Sequence, residues 1–121
     1  MKLNDLVFND CMIVGYSRDA ASRNLTLTFE AYETDHLQNG PALHVLECSG
    51  VDDVRLQFSA EFASDLNRPY SVNGDDQRAN EIHGLQRDSS GYIHLVADMV
   101  QGTFHCKKFR LLRVVAAEAE A

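Results

Sequence analysis

Apolar and polar residues alternate with a period of two along much of this chain. Leu25, Leu27 and Phe29 alternate with Asn24, Thr26, Thr28 and Glu30. Ile93, Leu95, Ala97 and Met99 alternate with Tyr92, His94, Val96 and Asp98. Successive side chains in a strand point to opposite faces, so these runs predict half-exposed β-strands. Leu6 to Tyr16 reads as a first strand with a break near Asn9-Asp10, and the polar run from Ser17 to Asn24 as a connection. A second strand over Leu25–Thr34 makes a hairpin with the first. Asn39-Gly40-Pro41 then breaks the chain. Ala42 to Cys48 is a third strand whose apolar residues fall on both faces, which predicts cover on both sides. After Ser49-Gly50, the alternation of Val54, Leu56 and Phe58 predicts a fourth.

The spacing changes at Phe58, Phe62 and Leu66, which lie four apart. Four is helical spacing, so a short helix is predicted around Ala60–Leu66. Asn67-Arg68-Pro69 stops it, because the residue before proline avoids helical backbone angles. The stretch 71–78 reads as a loop and 79–86 as a weak strand. The last two strands are Tyr92–Met99 and Thr103–Val115, joined near Gln101-Gly102. Phe104 and Cys106 share one parity, whereas Phe109 and Leu111 share the other. One inserted residue flips the faces of a strand, so a β-bulge is expected near Lys107-Lys108. The alanine- and glutamate-rich stretch 116–121 reads as a frayed end or a short helical turn. The fold class is therefore all-β: an antiparallel β-sandwich or partly open barrel of about seven strands with one short helix, in a single domain over 1–121.

The 121 residues suit one domain, which buries roughly 65% of its unfolded surface. No apolar run approaches the ~20 residues needed to span a bilayer. Met1-Lys2-Leu3-Asn4-Asp5 carries an acid where a signal peptide has its apolar stretch, so the expected location is the cytoplasm. Three cysteines, Cys11, Cys48 and Cys106, form no CxxC pair. Without a secretion signal they read as reduced, partly buried small hydrophobes rather than a disulfide framework.

The net charge is −7, which disfavours nucleic-acid backbones and anionic membranes and favours a basic protein partner. It is unevenly spread. Ten acids and two bases lie between Glu30 and Asp76, whereas Lys107, Lys108, Arg110 and Arg113 occupy a stretch without an acid. Asp35, Asp52, Asp53, Asp75 and Asp76 fall in three predicted loops, and we expect them to gather at one end of the sandwich as a partner-binding acidic face.

Catalytic and cofactor motifs are missing. His36, His44, His83, His94 and His105 occur without HxH, HxxxH or HExxH spacing, so no metal site is expected. With a hairpin centred between Val100 and Gln101, His94 and His105 become diagonal neighbours. His105-Cys106 cannot act as base and nucleophile within a regular strand, because adjacent residues point to opposite faces. Asp52-Asp53 and Asp75-Asp76 lack the spaced ligands of a calcium loop. There is no phosphate-binding glycine loop and no GxSxG. No cofactor is expected.

The opening Leu6-Val7-Phe8-Asn9-Asp10-Cys11-Met12-Ile13-Val14, the run Leu25-Thr26-Leu27-Thr28-Phe29 and the step Ser49-Gly50-Val51 resemble the first half of small bacterial toxin-immunity proteins and their uncharacterised relatives. The chain departs from them at Asn9, where many carry His, and in having no tryptophan. The resemblance implies an antitoxin that binds and blocks a toxin domain. Taken together, the expectations are a non-catalytic protein-binding domain engaging a basic partner. Two alternatives stand beside it. One is a ligand-binding or enzymatic barrel in which His44, His83, His94 and His105 converge. The other is an assembly subunit that pairs through an edge strand.

Overall fold

In a computed structural model, which describes residues 2–58 and 80–114, the chain forms nine strands in two antiparallel sheets. The strands are β1 (Leu6–Val7), β2 (Ile13–Asp19), β3 (Asn24–Glu33), β4 (Ala42–Ser49), β5 (Asp52–Phe58), β6 (Ile82–Arg87), β7 (Tyr92–Ala97), β8 (Val100–His105) and β9 (Lys108–Arg113). The first sheet has the order β1-β3-β4-β9, with β2 also paired to β3, and the second the order β5-β8-β7-β6. Helical structure among the described residues is limited to two 3-10 turns, Leu3–Asp5 and Thr34–Asn39. The helix expected at 60–66 lies outside the described residues, as do Asp75, Asp76 and the stretch 116–121. No described helix is long and apolar enough to cross a membrane.

The all-β antiparallel architecture is as the alternation predicts, and the described residues form nine strands where about seven are expected. Both additional strands come from splitting. The predicted first strand divides into β1 and β2 around Asp10, which sits at φ 57. Left-handed backbone interrupts a strand, and Asp tolerates it better than most residues. The predicted last strand divides into β8 and β9, and no bulge reconciles its parities. Instead the chain leaves one sheet and joins the other at Cys106-Lys107. The Cys106 N–H donates to the Gly91 carbonyl of the second sheet's β6–β7 turn at 3.2 Å, and the Lys107 N–H to the Ser49 carbonyl at the end of β4 at 3.1 Å.

The hairpin between β7 and β8 is also shifted from the expected centre. Tyr92 faces His105 and His94 faces Thr103, which puts the turn at Asp98-Met99 rather than Gln101-Gly102. Buried Asn80 holds that turn, its Oδ1 accepting the Met99 N–H at 2.9 Å. Gly102 lies inside β8 at φ 140, where an added Cβ would collide with the Arg55 carbonyl oxygen. A glycine within a strand marks close backbone approach as readily as a turn.

The core lies between the sheets. Leu25, Leu27, Phe29 and Ala31 of β3 share one buried cluster with Ile93, Leu95 and Ala97 of β7 and with Leu46, Val100 and Phe104. Tyr16 packs edge-on against Phe58 across the sheets, ring centroids 5.3 Å apart. The sheets are also stitched along one side. Met12 bridges Glu81, the Ile13 N–H donates to Asn80 O at 3.0 Å, and the Ile82 N–H to Cys11 O at 2.8 Å. The result is a sandwich partly closed towards a barrel.

Phe29 is fully buried between the rings of Phe8 and His44, at centroid distances of 5.9 and 6.0 Å. Phe29→Ala should cost about 3–5 kcal/mol in urea unfolding, because it empties a fully buried aromatic site. A loss below about 1 kcal/mol, typical of surface changes, would contradict this placement.

Candidate functional site

The β3–β4 hairpin decides where the acidic loops go. Asn24 pairs with Ser49 and Ala31 with Ala42, so the Thr34–Asn39 turn and the Ser49–Asp53 crossing sit at opposite ends of the hairpin. At ~3.3 Å per residue, the ten-residue β3 separates them by about 30 Å. Asp35 therefore does not gather with Asp52 and Asp53, which corrects the expectation of one acidic end.

Asp52 and Asp53 are also heavily partnered. Asp52 pairs with Arg23 at 3.2 Å and with His105 Nδ1 at 3.2 Å. Asp53, at φ 49 in an irregular stretch of the β5–β8 ladder, accepts from Arg55 Nε at 2.8 Å and the Tyr92 hydroxyl at 2.6 Å. The Tyr92 hydrogen bond, then that of Arg55, holds the Asp53 carboxyl below the usual carboxylate range. Strand pairing resolves the uneven charge in the same way. β4 lies beside β9, so Glu47 receives Arg110 at 2.7 Å, and Arg113 reaches Glu33 at 3.4 Å. Acidic and basic stretches far apart in sequence are neighbours in the sheet.

The histidines do not converge. His44 pairs with Glu33 at 3.2 Å, His83 with Asp98 at 2.7 Å, His94 with Asp88 at 2.8 Å and His105 with Asp52 at 3.2 Å. Each of the four thus faces a different carboxylate. His44 is fully buried with its ring stacked on Phe29 at an interplanar angle of 18°. Its Nδ1 faces the Ala42 carbonyl at 2.9 Å, so both ring nitrogens have acceptors. His94 and His105 share the outer face of the second sheet, and Tyr92 lies against His105 with centroids 5.1 Å apart. Among the described residues no group of three His, Cys, Asp or Glu side chains is placed to hold a metal ion.

The feature not anticipated lies on the outer face of the first sheet. The ladder registers put Val7, Tyr32, Leu43, Val45, Leu112 and Val114 on that face at its Thr34–Asn39 end. Val7, Leu43, Leu112 and Val114 are 39%, 40%, 39% and 36% exposed, and are four of the six exposed large hydrophobic residues described. Tyr32 and Val45 are half-buried. The sequence signal was the two-faced apolar content of Ala42–Cys48, which predicted cover on both sides. Instead, His44, Leu46 and Cys48 enter the core while Leu43 remains exposed. Asp5, Glu33 and Asp35 border a shallow groove of about 200 Å³ at the same end. At the other end of the face, Thr26, Glu47, Ser49, Lys108 and Arg110 line a polar groove of about 480 Å³. The outer face is thus apolar and acid-rimmed at one end, and polar with balanced charge at the other.

No protein-family model, curated protein or solved structure matches the chain.

Asp53 gives a direct check on these electrostatics. Its carboxyl titrates lower in the folded than in the unfolded chain. Its contribution to stability is therefore present above the ordinary carboxylate range and lost as pH falls through the lowered folded value. Tyr92→Phe removes the largest cause. The Asp53 carboxyl resonance, followed by NMR, should then titrate at higher pH while the Asp19 resonance stays unmoved. An unchanged Asp53 midpoint would show that the hydroxyl contact contributes nothing.

Proposed function

We propose that the protein is a non-catalytic protein-binding domain that docks its partner on the apolar end of the first sheet's outer face. The observation that carries this reading is the grouping of Val7, Leu43, Leu112 and Val114, all exposed, on one surface spanning β1, β4 and the β9 end. Monomeric soluble proteins rarely leave a contiguous apolar surface of this kind without use, and binding interfaces combine an apolar centre with a polar rim. The rim here carries the exposed carboxylates of Asp5 and Asp35, and the chain has a net charge of −7. The partner that fits is a protein with an apolar patch bordered by Lys or Arg. Charge attraction would speed its encounter and select it against acidic proteins.

Asp35 keeps its place in this proposal, whereas Asp52 and Asp53, at the far end and already paired, do not. The separate carboxylate partners of His44, His83, His94 and His105 favour this reading over a barrel with converging histidines. Blocking of a toxin by an immunity protein, implied by the resemblance of the first half, is one case of such binding. Cytoplasmic residence belongs to the same proposal and is supported by three cysteines that form no disulfide.

Leu43→Asp and Leu112→Asp test the proposal, since both side chains are already exposed and their replacement should leave the circular dichroism spectrum and melting curve nearly unchanged. Each should weaken capture of the partner from source-cell lysate by a factor of ten or more, the scale of ~1.4 kcal/mol or above. Asp52→Asn with Asp53→Asn should leave capture intact. Capture lost in the aspartate double variant and retained in the leucine variants would contradict the proposed face.

A further inference from the structure

A buried titratable ring lies beneath the apolar end of the first sheet's outer face. His44 points inward from β4, between Leu43 and Val45, and is fully buried. Its Nδ1 is 2.9 Å from the Ala42 carbonyl oxygen and its Nε2 is 3.2 Å from Glu33 Oε2. A backbone carbonyl and an ionised carboxylate only accept hydrogen bonds, whereas a neutral imidazole has a single N–H. Only the imidazolium, with two, serves both. A buried cation needs a paired anion, and Glu33 is placed to be that anion. The same Oε2 is 3.4 Å from Arg113 Nε. One oxygen thus joins β3, β4 and β9. Arg113 stands opposite His44 in the β4–β9 ladder, and the next rung is the Val114 N–H donating to the Leu43 carbonyl at 2.9 Å.

The two acceptors of His44 differ in freedom. The Ala42 carbonyl is fixed in the backbone of the same strand. Glu33 ends β3, and its side chain is 18% exposed, so it can swing outward. Loss of one ring proton therefore falls on Nε2, whose bare lone pair then faces a carboxylate and repels it. Other charged groups border this arrangement. His36, exposed in the Thr34–Asn39 turn, lines a small cavity of about 60 Å³ together with Glu33 and Arg113. Asp35 of that turn and Asp5 border Glu33 on the neighbouring groove.

We propose that His44 is a proton-operated latch: its protonated ring holds Glu33, and through Glu33 holds Arg113, so that acid secures and base loosens the end of β9 beneath the docking face. With the proton in place, the imidazolium and the guanidinium share one carboxylate and the β3, β4 and β9 ends are held together. With the proton gone, Glu33 turns outward, Arg113 loses its fixed partner, and the last rung of the β4–β9 ladder frays. Leu43, Leu112 and Val114 sit on that rung or beside it. On the docking reading above, on which this regulation rests, the partner is held more tightly in mild acid than in mild base.

The test uses the free full chain at about pH 5 and about pH 9, either side of the range in which imidazoles change charge. NMR of the ring nitrogens, with His44 assigned through its contact with the Phe29 ring, should show both protonated in acid and only Nδ1 protonated in base. The hydrogen-exchange protection factor of the Val114 amide should fall by about tenfold from acid to base, the scale of one hydrogen bond to a charged group. The Lys107 amide, bonded to Ser49 at the other end of the ladder, should keep its protection. Glu33→Gln should abolish the change at Val114, because the introduced amide can donate to a bare Nε2 or accept from a protonated one. His36→Gln should leave the change intact. A His44 ring in one protonation state at both pH values would overturn the latch, as would equal Val114 protection. So would a Val114 change that survives Glu33→Gln or disappears in His36→Gln. Every readout is taken without a partner, so the latch stands or falls separately from the capture experiment on Leu43 and Leu112.

Discussion

Two consecutive amides hold this fold together at one corner. Cys106 donates its N–H to the second sheet and Lys107 donates to the first. The crossing from β4 to β5 packs against the same point, where Gly50 at φ 64 lies so close to Lys107 that an added Cβ would stand 2.9 Å from its side chain. The Val51 N–H closes the corner by donating to Arg23 O at 2.9 Å. Buried backbone groups must find partners, and here each is served by a different part of the chain. Everything beyond the corner follows from it. β9 is delivered to the free edge of β4, Arg110 to Glu47 and Arg113 to Glu33.

Delivery of β9 also sorts the surface. The basic stretch 107–113 falls beside acids of β3 and β4, so much of the charge separated in sequence is matched across the strands. Exposed ion pairs contribute little stability individually. Their consequence here is spatial: one end of the outer face becomes polar and balanced, and the other keeps its apolar side chains with an acidic border. That division is what the proposed docking surface rests on, and it leaves Asp52 and Asp53 at the far end.

Alternation made β3 and β7 legible, because one face of each strand is buried and the other wet. It failed where one pattern has two physical causes. A parity change between Cys106 and Phe109 arises from a bulge or from a change of sheet, and sequence spacing is identical in both cases. A glycine among apolar residues marks a turn or a close backbone approach, and Gly102 is the second. Apolar residues on both faces of Ala42–Cys48 mean double cover or one face left open. Here Leu43 is open, while His44 takes the inward position beside Phe29. The acidic end was misplaced for a related reason: loop order along the chain does not say which end of a hairpin each loop occupies, and only the β3–β4 register does. The pairing of each histidine with its own carboxylate depends on residues as much as 53 positions apart, as in His105 and Asp52, and no local spacing encodes it.

Hydrogen exchange of the full chain with and without its captured partner tests the central claim most directly. Amide protection on binding should appear in the short β1, at Tyr32, across 42–46 and across 111–114. These lie on one face only because β9 has been brought to β4. Protection confined to Arg23, the 50–55 crossing and the Tyr92–His105 side of the second sheet, with the β4–β9 end unchanged, would contradict the account.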